Sequence, residues 1–310
     1  MENLVAVASQ VAVLFVLMGV GAALRRLRLL GDDAVGGMVN LLMFAVTPCV
    51  IVDCFQRPFD GAMLGGLGLA FAFASLGHVA LIAVSALCVR SRDDDTRRTL
   101  RLAAVFSNAG FMGLPLEQAI LGPRGVFFGA VYIAVFNLFI WSWGVKTMQQ
   151  RGVGAGLLKA VANPGTVGIV AGLPLFLLSA RLPAVLAGPV HHLANLNTPL
   201  AMVVVGYSLA GARLGRVARS GAVYAAAALR LFASPALMIA AMLPFRRWLD
   251  ADMMLAMVIA ASAPVAALVS IFASKFRRDV DVGVAIVSGT TLVSIATMPV
   301  VIAIAMALLT

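Results

Sequence analysis

Apolar residues in this chain fall in long unbroken runs, without the two-residue or 3.6-residue alternation of half-buried elements. Runs free of Asp, Glu, Lys and Arg cover 3–24, 34–52, 61–89, 125–145, 160–180, 182–212, 253–274 and 282–310. Two more, 102–123 and 220–245, hold one interior charge each, Glu117 and Arg230. About 20 apolar residues suffice to cross ~30 Å of hydrocarbon. The pattern predicts an all-α membrane protein with ten spans. The run 182–212 is longer than one span needs, and Pro183 and Pro189 predict a loop over its first third with a helix starting near His192.

Composition agrees with immersion in lipid. Hydrophobic residues make up 62% and charged residues 12% of the chain, against ~25% charged in a soluble domain. The net charge of +10 does not point to nucleic acid, because Lys and Arg flank the apolar runs and form no basic face. Their distribution sets a topology. The odd-numbered loops carry 17 Lys and Arg residues and the even-numbered loops carry 5. By the positive-inside rule the odd loops are cytoplasmic and both termini lie on the outer, periplasmic side of a cell inner membrane. The first apolar run is too long for a signal-peptide core and leads straight into a second span. Cys49, Cys54 and Cys88 lie in or beside apolar runs with no metal-ligand or CxxC spacing. No cofactor motif is present.

Ten spans divide into halves of five, 1–150 and 151–310, and a repeated odd-numbered half must be inverted in the membrane. Thr47-Pro48 of the second span is matched by Thr198-Pro199 of the seventh, 151 residues later. The fourth span carries Ser107-Asn108-Ala109-Gly110-Phe111-Met112-Gly113-Leu114-Pro115, and the ninth carries Ala261-Ser262-Ala263-Pro264 about 154 residues on. Breaks at matching places are the mark of inverted-repeat carriers. Pro115 removes a backbone donor, Gly110 and Gly113 weaken the helix, and Asn108 offers a competing hydrogen bond. An unwound stretch follows, and at membrane depth it survives only within protein or beside water. At 1.5 Å per residue the two breaks lie ~14 and ~17 Å in, near the midplane. Half-helix ends meeting there would offer N–H donors to an anion.

Other polar residues inside spans have more than one reading. Arg230 lies ~15 Å from the cytoplasmic start of its span. It suits attraction of a substrate carboxylate, an ion pair with Glu117, or snorkelling to the surface. Glu117 suits that pair, proton coupling, or the lining of an outer mouth. Asn137, in mid-span, needs partners that the fourth-span break would supply. Thr290, Ser294 and Thr297 share one helix face, where hydroxyls either join helices or bind substrate. His78 reads as a core histidine, and His191 and His192 as interfacial residues.

The fourth-span motif, with Gly122 and Phe136-Asn137 after it, resembles the signature of the auxin efflux carrier family of membrane transporters, particularly its bacterial, malonate/malate-permease-like members. Asn163-Pro164, Pro199 with Gly206 and Leu209, Ala263-Pro264 and Pro299 extend the likeness nearly end to end. The resemblance implies ten helices in two inverted repeats, as in the sodium/bile-acid symporter and sodium/proton antiporter fold group. Spans 1, 2, 6 and 7 would form a scaffold, often dimeric, and spans 3–5 and 8–10 a transport domain in which broken helices 4 and 9 cross. Substrate would bind at that crossing, where Asn108, Pro115, Asn137 and Pro264 match the family's positions. Its bacterial members carry small carboxylates such as malate or malonate, and its plant members auxin. This chain lacks the long hydrophilic central loop of many plant carriers, which turns the expectation away from auxin.

The expected function is secondary transport of a small organic anion by alternating access, with elevator-like or rocking motion. The substrate site drawn from these readings comprises Asn108, Gly110, Gly113, Pro115, Asn137, Ser262, Pro264, Arg230, Thr290 and Ser294. A proton- or sodium-coupled symporter or antiporter of another small solute is the alternative. No span holds the paired aspartates of sodium/proton antiporters. A transmembrane sensor would need an output domain, and an intramembrane hydrolase would need a GxSxG, HExxH or oriented Ser-His set, none of which occurs.

Overall fold

The computed structural model describes residues 2–149, 164–211 and 220–309. Asn163 of the family signature and the basic residues Arg151, Lys159, Arg213, Arg216 and Arg219 of the odd loops lie outside the described residues. The rest is helical, and the single extended pairing among the described residues is an antiparallel bridge between Ser107 and Val265.

We number the helices in chain order. They are α1 (Glu2–Arg26), α2 (Asp32–Phe55), α3 (Gly61–Cys88), α4 (Asp94–Val105), α5 (Ala109–Met148), α6 (Pro164–Leu177), α7 (Ala184–Ala210), α8 (Gly221–Phe245), α9 (Ala251–Ser262), α10 (Leu268–Lys275) and α11 (Val280–Leu309). Among the described residues six, α2, α3, α5, α7, α8 and α11, are long and apolar enough to cross a membrane. Their outward faces are apolar, with Val16, Leu76, Val170 and Val185 well exposed, as a protein solvated by lipid requires. Asp60, Asp93 and Asp250 cap α3, α4 and α9 by accepting from Ala62, Thr96 and Met253 amides at 2.8–2.9 Å. The Arg98 guanidinium beside Asp94 holds that carboxyl below the usual range.

Six long helices differ from ten apolar runs for visible reasons. Two of the runs are interrupted, so that α4 and α9 are each only 12 residues long. The rest of the first of these runs, from Ala109 on, joins the next run in α5, where Gly122 (φ +64°, ψ −156°) turns the chain between them. That φ is open to glycine at little cost.

The prolines account for much of the local geometry. Pro48, Pro115 and Pro235 each follow a widened π turn, at Leu42–Val46, Ala109–Gly113 and Leu229–Ala233. A proline ring collides with the carbonyl four residues back. That carbonyl belongs to Phe44, Phe111 or Leu231, inside the widened turn in each case, so the helix continues past the ring. The expected unwinding over 107–115 therefore shrinks to Phe106–Asn108, and Gly110, Gly113 and Pro115 are helical. The expected loop at the start of the 182–212 run is also corrected. Pro183 sits at the N-cap of α7, where a missing donor costs nothing, and helix runs from Ala184 through Pro189.

Polar ties between helices fall into two sets. In the first, Arg25 of α1 approaches Asp32 at 3.6 Å, and Tyr207 of α7 donates to the same carboxylate at 3.0 Å. His191 of α7 meets Asp53 of α2 at 3.1 Å, and Gln56 accepts from the Leu182 amide. In the second set, Arg98 and Arg278 donate to Thr147, Met148 and Gln149 carbonyls at the end of α5. Arg278 also pairs with Asp95, Arg124 with Asp250 and Asp252, and Arg246 donates to the Leu308 carbonyl. Apart from the partners of Thr166, Tyr224 and Met306, no hydrogen bond or ion pair among the described residues joins α1, α2, α6 and α7 to the remaining helices. The seam is apolar, with Leu14, Met18 and Met202 facing Met112, Leu116 and Met298, plus Arg57 over the Phe127 ring at 4.9 Å.

Within the first set, α1 and α7 touch backbone to backbone. A Cβ at Gly21 would strike the Val203 carbonyl, and one at Gly206 the Met18 carbonyl. Gly206→Val should therefore cost about 1–3 kcal/mol, seen as a lower thermal midpoint of the detergent-solubilised protein. Gly19→Ala, whose Cβ meets nothing within 4 Å, should leave that midpoint unchanged or raise it.

Candidate functional site

The two interruptions meet. Asn108 N donates to the Pro264 carbonyl at 2.7 Å, and Ala266 N donates to the Phe106 carbonyl at 2.9 Å. Between these bonds Ser107 lies antiparallel to Val265, and Val265 N donates to Thr290 Oγ1 at 3.1 Å. Four helix ends therefore converge on one short two-stranded crossing: the C-terminal ends of α4 and α9, and the N-terminal ends of α5 and α10.

Beside the crossing is a cavity of about 570 Å³ between α2 and α7 on one side and α5, α10 and α11 on the other. Asn108, Gly110 and Asn137 line it, together with the α10 start at Ala266–Leu268. Its lining comes from those parts of α2, α5, α7, α10 and α11 nearest the odd-numbered loops. Toward the even-numbered loops a second, small pocket of about 20 Å³ lies among Met18, Met112, Met202 and Met298, with Ser294 beside it. Among the described residues, none that lines the cavity is charged.

The positive character comes from backbone. The first amides of α5, at Ala109, Gly110 and Phe111, have no intrahelical acceptor; at the start of α10 this holds for Ala267 and Leu268, while Val269 and Ser270 already bond the Ala266 and Ala267 carbonyls. Both ends border the cavity, and each carries roughly half a positive charge. The Asn108 side chain caps nothing and makes no hydrogen bond with the described residues. It is free to act in the cavity. Asn137 spends its Nδ2 on the Ile133 carbonyl at 2.9 Å, leaving its oxygen as an acceptor.

The other expected residues stand behind this surface. Gly113 faces α9, where a Cβ would make an ordinary contact 3.6 Å from Ala260 Cα. Pro115 is buried in α5. Ser262 bonds the Ile259 carbonyl at 2.8 Å, Pro264 supplies the carbonyl for Asn108, and Thr290 supports Val265. Ser294 donates to the Thr291 carbonyl at 2.7 Å. Thr47, Ser208, Ser288 and Thr291 line the cavity unannounced by the sequence, since a lone hydroxyl in a span is as readily a packing residue. Thr291 and Ser288 share a face one residue around from the Thr290 and Ser294 stripe.

Arg230 and Glu117 form no ion pair, and neither lines the cavity. Arg230 is 0% exposed, which also excludes snorkelling. It donates to the Val105 and Ala261 carbonyls at 2.6 Å each, and to Ser234 Oγ. Glu117 is 1% exposed, and its Oε2 has no partner. Its carboxyl occupies a slot between Gly113 and Gly129, where a Cβ on Gly129 would overlap it. His78 packs among Phe106, Tyr132 and Phe139, with Nδ1 beside the Ala74 carbonyl at 2.8 Å. No group of His, Cys, Asp and Glu among the described residues could hold a metal ion.

A bundle of membrane-crossing helices, interrupted at one crossing beside a polar-floored cavity, is the architecture of a multi-pass membrane transport protein. Similarity to known proteins makes this specific. The model of the family described as membrane transport protein matches residues 6–157 and 153–302, and the chain belongs to that family, the one that includes the auxin efflux carriers. It is 26% identical over 291 residues to an uncharacterized transporter of Methanothermobacter thermautotrophicus, covering 92% of this chain and 93% of the relative.

The cavity's position can be checked by labelling, once the free Cys49, Cys54 and Cys88 are replaced by Ser or Ala. Ser288→Cys should react readily with a membrane-impermeant maleimide. Ser294→Cys, on the closed side, should react slower by about tenfold or more, since thiol reactivity follows access. Equal rates would put the cavity elsewhere.

Proposed function

We propose that the protein is a secondary carrier of small organic anions, carboxylates of the malate or malonate kind, working by alternating access around the crossed breaks. The observation that carries this reading is the cavity itself. Two half-helix N-termini and a free Asn108 side chain face it, and no fixed charge lines it. Such a site meets a carboxylate with N–H donors, while the substrate's own negative charge stays unneutralised by any salt bridge, which favours release.

In this reading α4 with α5 up to Gly122 is one broken crossing, and α9 with α10 is another. The chain then crosses ten times in two inverted halves, 1–150 and 151–310, in accord with the Thr-Pro offset of 151 residues. The helices α1, α2, α6 and α7 act as scaffold, and the rest moves against them. Support comes from the polar ties that hold each set together and from the apolar seam between them. The charge bias puts the odd loops in the cytoplasm, so the cavity faces inward and both termini lie outside in the inner membrane. Membership of a transport family speaks against the hydrolase and sensor readings.

Purified protein in liposomes should take up labelled malonate or malate. Asn108→Ala should raise the half-saturating concentration about 10- to 100-fold, the loss of one hydrogen bond to a charged group, with an unchanged thermal midpoint. Normal transport by this variant would remove the crossing from the site.

One observation favours coupling to protons over sodium. A buried carboxyl with no cation beside it is far cheaper neutral than charged, so Glu117 would bind a proton whenever its slot is shut and lose it when opened to water. Uptake driven by a pH gradient should then fall in Glu117→Gln to the gradient-free rate, while substrate exchange at equal pH persists. Dependence on sodium, with the Gln variant still pH-driven, would exclude this role.

A further inference from the structure

We infer that Arg230 is a positioning residue that holds the C-terminal ends of the two broken helices as one unit and offsets their negative poles, so that the amides at the cavity carry the local charge. The inference rests on the crossing being the transport site, but the contacts behind it do not.

Val105 is the last residue of α4 and Ala261 lies in the last turn of α9. Terminal carbonyls of a helix lack intrahelical donors, and at membrane depth no bulk water replaces them. Both carbonyls accept from Arg230, through different nitrogens of one guanidinium, at 2.6 Å. Ser234, one turn further along α8, donates to the Ala261 carbonyl at 3.0 Å and accepts from Arg230. A planar fork with several donors reaches two carbonyls at once, whereas an ammonium acts as a point charge. The crossing is therefore tied on one side by the Asn108–Pro264 and Ala266–Phe106 bonds and on the other by Arg230.

The electrostatic consequence has a definite sign. Helix C-termini carry partial negative charge, and two of them lie at the back of the crossing whose front is to receive an anion. Left bare, they would oppose the amides of α5 and α10. A full positive charge there offsets the two half-charges about one for one, and in a low-dielectric surrounding the loss of that opposing field is felt in the cavity with little screening. Arg230 thus acts on an anion that it does not touch. The corresponding neighbour of α4 on the other side, α3, offers no such cation: His78 spends Nδ1 on its own helix, beside the Ala74 carbonyl.

Two measurements on the full chain in nanodiscs and liposomes test this. The first is backbone hydrogen exchange of wild type, Arg230→Met and Ser234→Ala without substrate. Exchange at both 106–108 and 263–267 should quicken about tenfold or more in Arg230→Met and less in Ser234→Ala, with α2 and α7 unchanged, since local opening sets these rates. Unchanged exchange at either break overturns the tie; if Arg230→Met fails to fold, the Ser234→Ala result decides. The second compares Arg230→Lys with Arg230→Gln in malonate uptake. Lys should keep the half-saturating concentration within a few-fold of wild type, and Gln should raise it tenfold or more at a similar maximal rate. Equal values for the two variants overturn the electrostatic part. If wild type moves no carboxylate at all, the transport reading fails while the exchange data still judge the tie.

Discussion

Everything distinctive in this protein follows from one constraint: at membrane depth a backbone N–H or C=O must find its partner inside the protein. An intact helix meets it automatically. Two interrupted helices do not, and the crossing is the arrangement that settles the account. Asn108, Pro264, Phe106 and Ala266 exchange main-chain hydrogen bonds, Thr290 receives Val265 N, and Arg230 takes the carbonyls of Val105 and Ala261. At the crossing the amides left without an intrahelical acceptor are those that open α5 and α10, which border the cavity. There water or a solute completes them. The interruptions thus bring unmet donors to a cavity that a ligand can enter.

The same constraint explains how the prolines are tolerated. Pro48, Pro115 and Pro235 would each force a carbonyl out of its bond in an ordinary helix. Each instead follows a π turn that absorbs the displaced carbonyl. At Pro115 this keeps α5 continuous right up to the crossing, so its dipole points at the cavity from close range. A longer unwound stretch would have spread the free amides and weakened that field.

Much of this was legible in the sequence, for physical reasons. The apolar runs, their basic flanks and the residues Asn108, Gly110, Asn137 and Pro264 show themselves because lipid tolerates so few polar or helix-breaking residues. What was not legible depends on tertiary neighbours. Nothing in the run around Arg230 says that two carbonyls from different helices await it, and its pairing with Glu117 was as natural on sequence grounds. Gly113 looked like a helix weakener, whereas Gly129, whose missing side chain makes room for the Glu117 carboxyl, drew no notice in the sequence. Thr47, Ser208 and Ser288 were hidden because a small hydroxyl in a span has no unique meaning. The start of α7 was misplaced because proline at a first turn and proline in a loop look alike in one sequence.

The seam between the two sets of helices completes the physical picture. Hydrogen bonds are directional and would have to break together before one set could slide past the other. Here they tie helices within each set, at the odd-loop end through Arg98 and Arg278 and at the other end through Arg124. The contact between sets is apolar, made by Met18, Met112, Met202 and Met298 around a small void and by the Phe127 ring against Phe55 and Phe176. Methionine is unbranched and adaptable and packs in several ways at similar energy, so that part of the seam has little to lose when its register shifts. A rigid crossing carried on one body, against an apolar face on the other, is what movement of a site without its disassembly requires.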